Sequence, residues 1–390
     1  YKRQDMNREL NWAILGSGWI AGDMADAFLD EGRKVYSVGS RTKEKVIEFA
    51  KKHNIDKVYD DYHEMFYDDN VDAVYIATPH NKHFEAIMEA LENGKHVLCE
   101  KAITLNSSEL NQAVLLAEKN NLVLAEAMTI YHMPLYKKLS EMVRAGVFGK
   151  VNLIHVYHGS FREHDMNSRF FSKSLAGGAL LDIGVYALSF ARLFMPCKPT
   201  GFSSGVQMVE SGVDETEGIL LMNGEDLAAT LTVSLHARLP KRAFITCEKA
   251  YIELDDYQRP QTAQITYIDT EKTETVSAGR KDKALFYEIE DMEDAINGLL
   301  DPVYEEKVIG AAEIRKIFKF SKIGNIAGSY ITDGLVKNSA LARVIRDGII
   351  IASDDKISTL QREKDSVKEV KKGYECGITC LLYTSPSPRD

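Results

Sequence analysis

A glycine-rich turn near the start of the chain constrains its fold more than any other feature. Residues 16–21, GSGWIA, follow an apolar run at 12–15 and precede a predicted helix that ends near residue 31. In such a turn the first glycine permits a tight bend, and the second lets backbone N–H groups approach a pyrophosphate. A small final residue lets helix and strand pack closely. The candidate cofactor contacts of this turn are Gly16, Ser17, Gly18, Trp19 and Ile20.

Alternating strands and helices follow this turn and indicate a parallel sheet. Apolar stretches at residues 35–38, near 58, 72–77, 95–99 and 122–125 predict further strands, and helices are predicted at 43–53, 84–93 and 107–120. Strands that alternate with helices of ten or more residues are typical of a doubly wound parallel sheet. We therefore predict an α/β fold that begins with a dinucleotide-binding domain.

The end of the second predicted strand bears on which dinucleotide the chain prefers. An NAD site usually carries an acidic residue here, which binds the ribose hydroxyl groups. This chain offers Ser40, Arg41 and Lys45 instead. Because these groups suit a 2′-phosphate, the pattern favours NADP. The alternative is that Arg41 stacks beside the adenine, which suits NADP and NAD equally.

Polar residues stand at the ends of two more strands, which is the edge where ligands of such sheets bind. The strand at 72–77 runs into residues 78–83, and the strand at 95–99 runs into a charged pair. The candidate contacts at these two ends are Thr78, Pro79, His80, His83, Glu100 and Lys101. For His83, which opens a helix, a structural role is the alternative. For Lys101, taken with Glu100 alone, a solvated ion pair is the favoured alternative.

A change of period from residue 151 marks a second domain. Residues 151–157 and 228–235 alternate apolar and polar side chains, short strands are predicted near 245 and at 251–254 and 264–268, and Asn223-Gly224 predicts a turn. This pattern is typical of a largely antiparallel sheet that is open on one face. A helix entered through two glycines places Asp182 and Tyr186, four residues apart, on one face. Such a pair is usually structural, but behind a dinucleotide domain it is a candidate acid–base pair.

Composition excludes several classes of protein. Among 390 residues, 45% are hydrophobic and 27% charged, and the net charge of −10 argues against binding to DNA. No run of about 18 apolar residues predicts a membrane span, and the first apolar segment is too short for a secretory leader. The five cysteines lack paired metal-ligand spacing. We therefore predict free thiols, no metal site and a cytoplasmic location.

Five motifs carry a family resemblance. GSGWIA, IATPHNKH, GKHVLCEK, AEAMTIYHMP and GGALLDIGVYAL occur in this order, and with them residues 6–294 resemble the Gfo/Idh/MocA oxidoreductases. The resemblance is nearest to the branch of dimeric dihydrodiol dehydrogenases and glucose–fructose oxidoreductase. It implies a Rossmann domain at 6–127 and a substrate domain at 128–294 whose open sheet forms a homodimer. It also implies NAD(P)-dependent hydride transfer at a sugar, polyol or dihydrodiol-type CH–OH group.

The same resemblance implies catalytic roles. Lys101 matches the lysine of the family's Glu-Lys-Pro motif, and Asp182 and Tyr186 match its second catalytic pair. We expect Tyr186 to act as the acid–base group and Lys101 to polarise the carbonyl and stabilise the phenolate. Asp182 is expected to orient them.

Three neighbouring residues bear on this site. Ala102 stands where the family has proline, which removes a ring-fixed backbone directly after the lysine. Arg162 and Arg169 are candidates for contact with the substrate. Surface ion pairs are the alternative for both arginines.

The last part of the chain resembles a different family. Residues 292–379, of which 296–379 are slightly basic, contain LLDPVYEEKVIGAAEIRKIF, SKIGNIAGSYITDG, ARVIRDGIII and KEVKKGYECGIT. These stretches are similar to the last domain of bacterial translation initiation factor two. The resemblance implies a β-barrel for initiator tRNA, here truncated, at 295–379. Strands are predicted at 318–320, 329–332, 343–346 and 349–352, with turns at 333–334 and 347–348. No G-x-x-x-x-G-K-[ST] phosphate loop occurs, which argues against GTP-driven activity.

Two resemblances in one chain indicate two origins. The tails, residues 1–5 and 380–390, resemble translated linker sequence. We interpret the chain as an assembly chimera, with an evolved fusion as the alternative. The oxidoreductase part is the most complete unit and is predicted to define the function. The alternatives are a fragment that binds initiator tRNA, which requires the C-terminal module to fold, or a non-functional chimera.

Overall fold

Three sheets follow one another along the chain. The computed structural model describes residues 9–224, 227–298, 309–320, 324–346, 349–362 and 365–380. The chain divides into two compact units, residues 1–301 and 302–390. The first unit contains a parallel six-stranded sheet and a mixed eight-stranded sheet, and the second unit contains an antiparallel sheet. This succession confirms the predicted fold class.

The first sheet is a buried, doubly wound parallel sheet. Its strands are β1 (Trp12–Leu15), β2 (Ser37–Gly39), β3 (Lys57–Tyr59), β4 (Ala73–Ile76), β5 (His96–Glu100) and β6 (Leu124–Ala127). Its helices are α1 (Trp19–Asp30), α2 (Lys43–Lys52), α3 (His63–Tyr67), α4 (His83–Glu92) and α5 (Ser107–Asn120). The strand order is β3-β2-β1-β4-β5-β6. Every residue of β1 and β4 is buried because helices cover both faces. The predicted strands and helices of this domain agree with these bounds within about two residues.

Helix α5 illustrates how local sequence sets these bounds. The side chain of Asn106 accepts the N–H of Glu109 (3.0 Å), and the carboxylate of Glu109 accepts the N–H of Leu105 (3.1 Å). This reciprocal pair satisfies N–H groups that a helix start leaves unpaired. Asn121 then takes a left-handed φ of 55° and ends the helix.

The second domain is a mixed sheet with helices on one face. Its strands are β7 (Val151–Gly159), β8 (Gly201–Met208), β9 (Asp214–Met222), β10 (Ala228–Ser234), β11 (Leu239–Cys247), β12 (Ala250–Asp255), β13 (Thr262–Tyr267) and β14 (Thr273–Ser277). Its helices are α6 (Thr129–His132), α7 (Pro134–Arg144), α8 (Val185–Phe194) and α9 (Ala284–Ile296). The strand order is β14-β13-β12-β11-β7-β10-β9-β8. The pair β7–β10 is parallel and the other neighbours are antiparallel, as the alternation predicted.

Helix α8 packs one face of this sheet and supplies Ala187, Phe190 and Ala191 to its core. The predicted turn at Asn223-Gly224 falls between β9 and β10, whereas β8, β9 and β14 were not predicted. Lys173–Phe194 has the length and composition of a membrane-spanning helix. Its buried residues are those of a core helix, which passes the same test.

Helix α9 returns to the Rossmann domain at the end of the first unit. Leu285, Ile289 and Met292 belong to the same core cluster as Trp12. The carboxylate of Glu293 accepts a hydrogen bond from the indole Nε1 of Trp12 (2.7 Å). The end of the predicted substrate domain therefore packs against the first domain.

The second unit is described by itself. Its strands are β15 (Gly310–Phe320), β16 (Gly324–Lys337), β17 (Leu341–Arg346), β18 (Ile349–Arg362), β19 (Asp365–Ser366), β20 (Glu369–Lys371) and β21 (Glu375–Cys380). The main order is β15-β16-β21-β18-β17. The predicted strands all lie within longer ones. The turn predicted at 333–334 was wrong, because β16 continues through it and bends at Gly334, which has a φ of 58°. The turn predicted at 347–348 lies outside the described residues.

Candidate functional site

The candidate site begins at the edge of the Rossmann sheet, where the strand order reverses between β1 and β4. β1 ends directly before Gly16, and β4 ends two residues before Thr78. Gly16 donates its N–H to the carbonyl of Gly39 at the end of β2 (2.8 Å). Predicted cofactor residues from distant parts of the sequence therefore meet at one edge, which is where such sheets bind ligands.

The glycine turn leaves room for a closely bound ligand. Gly16 has a φ of +125°, and a Cβ atom on it would lie 2.6 Å from the carbonyl oxygen of Ala77. A Cβ atom on Gly18 would meet nothing within 4 Å, so the backbone before α1 faces open space. Among the residues that the structure describes, the buried hydroxyl of Thr78 has no hydrogen-bond partner. These features fit a nicotinamide dinucleotide whose pyrophosphate lies at the start of α1.

Three other predicted contacts have different surroundings. Trp19 opens α1 with 66% of its surface exposed. Ile20 is partly buried against the Rossmann core. Pro79 is exposed at the start of a short 3-10 turn.

The end of β2 presents the groups predicted to select the dinucleotide. The Ser17 hydroxyl donates to the Ser40 hydroxyl (3.3 Å), which joins the glycine turn to this strand. Arg41 and Lys45 are both exposed, one before α2 and one in its first turn. Both cations can therefore approach a ligand that extends past β2.

Lys101 and Asp182 form a buried ion pair. Lys101 follows β5, and its Nζ donates to the carboxylate Oδ1 (3.1 Å) and to the main-chain oxygen (2.6 Å) of Asp182. The side chains are only 14% and 8% exposed. Burial alone would raise the pKa of Asp182, but the Lys101 and Arg169 cations outweigh it and lower that pKa. Asp182 is therefore ionised at neutral pH and holds the Lys101 ammonium in place.

The backbone that carries Asp182 is a π turn, Leu180–Gly184, which leads into α8. Gly178 begins this segment with a φ of +119°, and a Cβ atom there would overlap the carboxylate of Asp214. That carboxylate accepts the N–H of Leu180 (2.5 Å). The regular helical face expected for Asp182 and Tyr186 is thus replaced by a wider turn, a feature that recurs at functional sites.

Tyr186 lies beneath the Lys101 ammonium. The Nζ atom is 5.3 Å from the centroid of the Tyr186 ring. Burial raises the pKa of Tyr186 well above its ordinary value, and the Glu100 carboxylate raises it further. The Lys101 cation faces the Tyr186 ring and is paired with Asp182, and its expected stabilisation of a phenolate stays a prediction. Tyr186 is a neutral phenol at neutral pH.

Two arginines border this pair. The guanidinium carbons of Arg162 and Arg169 lie 4.3 and 4.4 Å from the centroid of the Phe170 ring. Arg169 Nη2 is 3.8 Å from Asp182 Oδ1. Within the described part of the chain, the buried Nε of Arg162 has no hydrogen-bond partner. Arg169 therefore does form an ion pair, but its partner is a buried carboxylate and not a surface one.

The two predicted histidines differ in their bonding. His80 Nδ1 lies 3.1 Å from the carbonyl of Ala176, and burial lowers the pKa of His80. His83 is fully buried, with Nδ1 and Nε2 each 2.8 Å from a carbonyl, those of Ala102 and Thr78. Burial lowers the pKa of His83 to about 4, so at neutral pH it donates only one of these bonds. Both nitrogens of His83 point to main-chain atoms, which matches the structural alternative.

Behind Lys101 the predicted residue Glu100 belongs to a buried charged group whose other members, Glu288 and Arg259, sequence reasoning missed. Glu100 accepts the hydroxyl of Tyr75 on one oxygen and the N–H of Lys101 (3.3 Å) on the other. Burial raises the pKa of Glu100 and of Glu288 on α9, and both feel the charge of Arg259. Glu288 and Arg259 follow Glu100 by more than 150 positions, and no local pattern marks them.

The sequence matches known proteins in both domains of the first unit. A model described as "Oxidoreductase family, NAD-binding Rossmann fold" matches residues 10–128, and one described as "GFO/IDH/MocA C-terminal domain" matches residues 136–253. Together they cover more than half of the chain. The chain belongs to the GFO/IDH/MocA oxidoreductase family. It is an NAD(P)-dependent oxidoreductase with a Rossmann domain followed by the family's C-terminal domain.

Relatives of this oxidoreductase include dehydrogenases from animals and bacteria. Trans-1,2-dihydrobenzene-1,2-diol dehydrogenase of Xenopus laevis is 32% identical over 258 residues, which are 65% of this chain and 78% of that protein. The scyllo-inositol 2-dehydrogenase (NADP(+)) of Bacillus subtilis is 30% identical over 294 residues, 72% of this chain and 87% of that protein.

Solved structures share the fold of this oxidoreductase. A 3-ketoreductase from Actinomadura kijaniata, in complex with NADP and TDP-benzene, has a TM-score of 0.68 at 22% identity and covers 76% of this chain and 92% of its own. Levoglucosan dehydrogenase, in complex with NADH and levoglucosan, has a TM-score of 0.68 at 19% identity, with 75% and 90% covered. At this identity the likeness concerns the fold alone.

Proposed function

We propose that this oxidoreductase transfers hydride between NADP and a CH–OH group of a sugar, cyclic polyol or dihydrodiol. The observation that carries the proposal is the buried Lys101–Asp182 pair over Tyr186, at the edge of the dinucleotide-binding sheet. Two of the relatives support this substrate class, because a dihydrobenzenediol and an inositol are both rings with adjacent hydroxyl groups.

Lys101 is proposed to hold the reacting oxygen. An ammonium has three N–H donors, and two of them bond Asp182. The third is free to bond the carbonyl or alkoxide oxygen, whose negative charge grows during the reaction. Arg169, which also neighbours Asp182, keeps this carboxylate charged, so the ammonium keeps its orientation.

Tyr186 is proposed to move the proton. When bound, the nicotinamide supplies or accepts the hydride at the carbinol carbon. In the reducing direction Tyr186 gives its phenolic proton to the substrate oxygen, and solvent reprotonates the phenolate. Because burial raises the pKa of Tyr186, the phenol holds its proton at neutral pH, and in the reducing direction this is the proton it donates.

Preference for NADP is proposed to reside at the end of β2. Ser40, Arg41 and Lys45 supply a hydroxyl group and two exposed cations there, and a 2′-phosphate carries the complementary charge. A titration with NADPH and NADH tests this proposal through quenching of Trp19, which opens α1. We expect NADPH to bind at least tenfold more tightly, and R41E to reverse the preference. Equal affinities in the original chain would contradict it.

The substrate class is tested by turnover. Purified protein with NADP⁺ is assayed against trans-dihydrobenzenediol, scyllo-inositol and glucose, and the matching ketones are assayed with NADPH. We expect NADPH oxidation with at least one cyclic ketone, and none with Y186F. Cofactor binding without turnover of any of these rings would refute the substrate class and leave the cofactor site standing.

A homodimer through the open sheet is proposed as well. Strands β8 and β9 carry exposed Phe202 (79%), Met208 (59%) and Met222 (48%), and such a patch favours association. Sedimentation velocity tests the proposal with F202K. Y67K, which changes an equally large exposed ring elsewhere (65%), is the matched control. We expect F202K alone to yield monomers.

We also propose that residues 295–379 are a module of separate origin, joined to the oxidoreductase as the resemblance to translation initiation factor two implies. Its support is that this segment has a small core of its own. The family comparisons favour the oxidoreductase function and give no support to tRNA binding. A single DNA sequencing read that spans both parts as one uninterrupted gene would refute the interpretation as an assembly chimera. The free thiols of Cys99, Cys247 and Cys376 support a reducing, cytoplasmic setting.

A further inference from the structure

Three metal-ligating side chains converge on the second sheet, away from the catalytic pair in sequence. Glu215 lies at the start of β9, His236 lies two residues after β10, and His164 lies in the loop after β7. Because β10 pairs with both β7 and β9, these three positions reach one end of the sheet. No short sequence spacing marks them, which is why the sequence predicted no metal site.

The backbone holds this cluster in place. The hydroxyl of Ser234 accepts the N–H groups of His236 and Ala237, each at 3.0 Å, which fixes the turn after β10. Arg162 donates its N–H to the carbonyl of Leu235 (2.8 Å) and ties the loop after β7 to the same turn. The two histidines are therefore presented by anchored segments of chain.

The donor atoms have the spacing of a coordination site. One ligand atom from each of His164, Glu215 and His236 lies within 4.8 Å of the other two. His236 Nδ1 is 3.3 Å from Glu215 Oε1, and His164 Nε2 contacts the same oxygen. Ligands of tetrahedral zinc, at about 2.0–2.2 Å from the metal, stand about 3.3 Å apart. The Glu215 side chain is 12% exposed, whereas the histidines are 46% and 62% exposed, so an ion can enter from solvent.

We propose that His164, Glu215 and His236 bind a divalent transition-metal ion of the zinc class. The ligand atoms are Nε2, Oε1 and Nδ1, and water completes a tetrahedral shell. Two neutral imidazoles and one carboxylate form a known zinc ligand set. Magnesium and calcium prefer oxygen ligands, which this cluster lacks beyond Glu215.

Ordinary hydrogen bonding explains this arrangement less well. A single histidine can pair with a carboxylate, as His63 does with Glu89 at 2.7 Å. Here two imidazole rings approach one carboxylate oxygen with their centroids 5.3 Å apart. If both rings were cations they would repel each other, whereas a shared metal ion requires both to be neutral and to turn their nitrogens inwards.

The metal would fasten a segment that reaches the catalytic pair. The loop that carries His164 continues to Arg169, whose guanidinium lies 3.8 Å from Asp182. The ring of Phe171, in the same segment, packs against His164 at 5.3 Å between centroids. An ion at this cluster therefore ties the Arg169 segment to β9 and β10, and its role is structural.

Cobalt titration of the full-length, tag-free protein tests this site without reference to activity. After chelator treatment, Co²⁺ is added and visible absorption is recorded. We expect one equivalent of Co²⁺ to give the intense bands of tetrahedral coordination, and Zn²⁺ to abolish them. H236Q and E215Q should weaken the apparent Co²⁺ affinity at least tenfold. H63Q, which removes an exposed histidine from a simple His–Glu pair, should leave it unchanged.

A ligand exchange gives an independent signature. H236C replaces an imidazole by a thiolate, and we expect a new near-ultraviolet sulfur-to-cobalt charge-transfer band at the same stoichiometry. The proposal is overturned if the original chain shows no tetrahedral bands, if H236Q binds as tightly as the original chain, or if H236C adds no charge-transfer band. Circular dichroism of each variant confirms that it is folded.

Discussion

The two units of the chain bury different kinds of side chain. The first unit contains three large apolar clusters, and among them lie buried charged groups such as Lys101, Asp182 and Glu288. The described part of the second unit has one cluster of five buried residues. Its ion pairs are exposed, as between Lys372 and Asp333, whose side chains are 65% and 77% exposed.

This difference locates the chemistry. Burying a charge costs free energy unless a partner compensates it, so a protein keeps such groups where function requires them. The first unit keeps several at one sheet edge, and the family matches fall within the same unit. In the described part of the second unit, the charged side chains that form ion pairs are exposed to solvent. The comparison predicts that substitutions of charged residues in the first unit alter catalysis and stability, and that equivalent ones in the second do not.

The largest expected effect is on Lys101. K101M should lower kcat about 1000-fold, because the substrate oxygen loses its cationic donor, while NADPH still binds. Since this substitution removes the nearer cation from the buried Asp182 and leaves Arg169 at 3.8 Å, the double variant K101M/D182N removes the poorly compensated anion and should be equally inactive but more stable. K82M, which changes an exposed lysine paired with Glu85 (2.9 Å), is the control. A loss in K101M below about tenfold would remove Lys101 from the chemistry.

The next effect compares one buried isoleucine in each unit. I289A in α9 and I331A in β16 each create a cavity, and both residues are fully buried. Such truncations cost about 2–5 kcal/mol. Both tryptophans, Trp12 and Trp19, lie in the first unit, so urea unfolding followed by their fluorescence reports that unit alone. We expect I289A to shift this transition and I331A to leave it unmoved. An equal shift would show that the two units unfold together.

The parts of the site that sequence reasoning reached are those with local signals. A few consecutive residues are enough to recognise the glycine turn, the ends of β4 and β5 and the double glycine before Asp182. Bends and buried contacts between distant residues do not. The π turn at Asp182 depends on its fit against Asp214, and the elevated pKa of Tyr186 depends on burial by the rest of the unit. Asp333-Gly334 likewise predicted a hairpin turn, because a glycine with positive φ occurs both in hairpin turns and, as here, within a continuous strand.

A third effect follows from the histidines, all ten of which lie in the first unit. His83 has a native pKa of about 4, against about 6.5 in the unfolded chain. Between these values the unfolded state binds the extra proton, so stability falls as pH drops from 6.5 to 4. The loss is about 3 kcal/mol for this residue. Tryptophan-detected unfolding at pH 7 and pH 4.5 measures it.

The control for this pH effect is a second histidine. H83Q should remove about 3 kcal/mol of the loss on acidification, while His158, whose pKa burial also lowers to about 4, keeps its share of that loss. H63Q, which changes a half-exposed histidine, should leave the whole loss in place. The second unit has no histidine. The protection of its amides against exchange should therefore stay the same between pH 7 and pH 4.5, once the pH dependence of the intrinsic exchange rate is corrected for. A native unit whose stability is flat from pH 7 to 4.5 would mean that His83 is not buried as a neutral ring.

The smallest effect compares ion pairs between the units. Arg33 holds Glu293 through Nη1 (3.2 Å) and Nη2 (2.5 Å), and these side chains are 17% and 20% exposed. R33M should therefore cost about 2 kcal/mol, between the values for exposed and buried pairs, because it loosens α9 from the Rossmann core. K372M breaks an exposed pair, and we expect no measurable change in amide exchange of the second unit, since water already screens that contact. If K372M destabilised its unit as much as R33M destabilises the first, solvent exposure would not explain the difference between the two units. The charges of the second unit would then have to be counted as part of what holds it together.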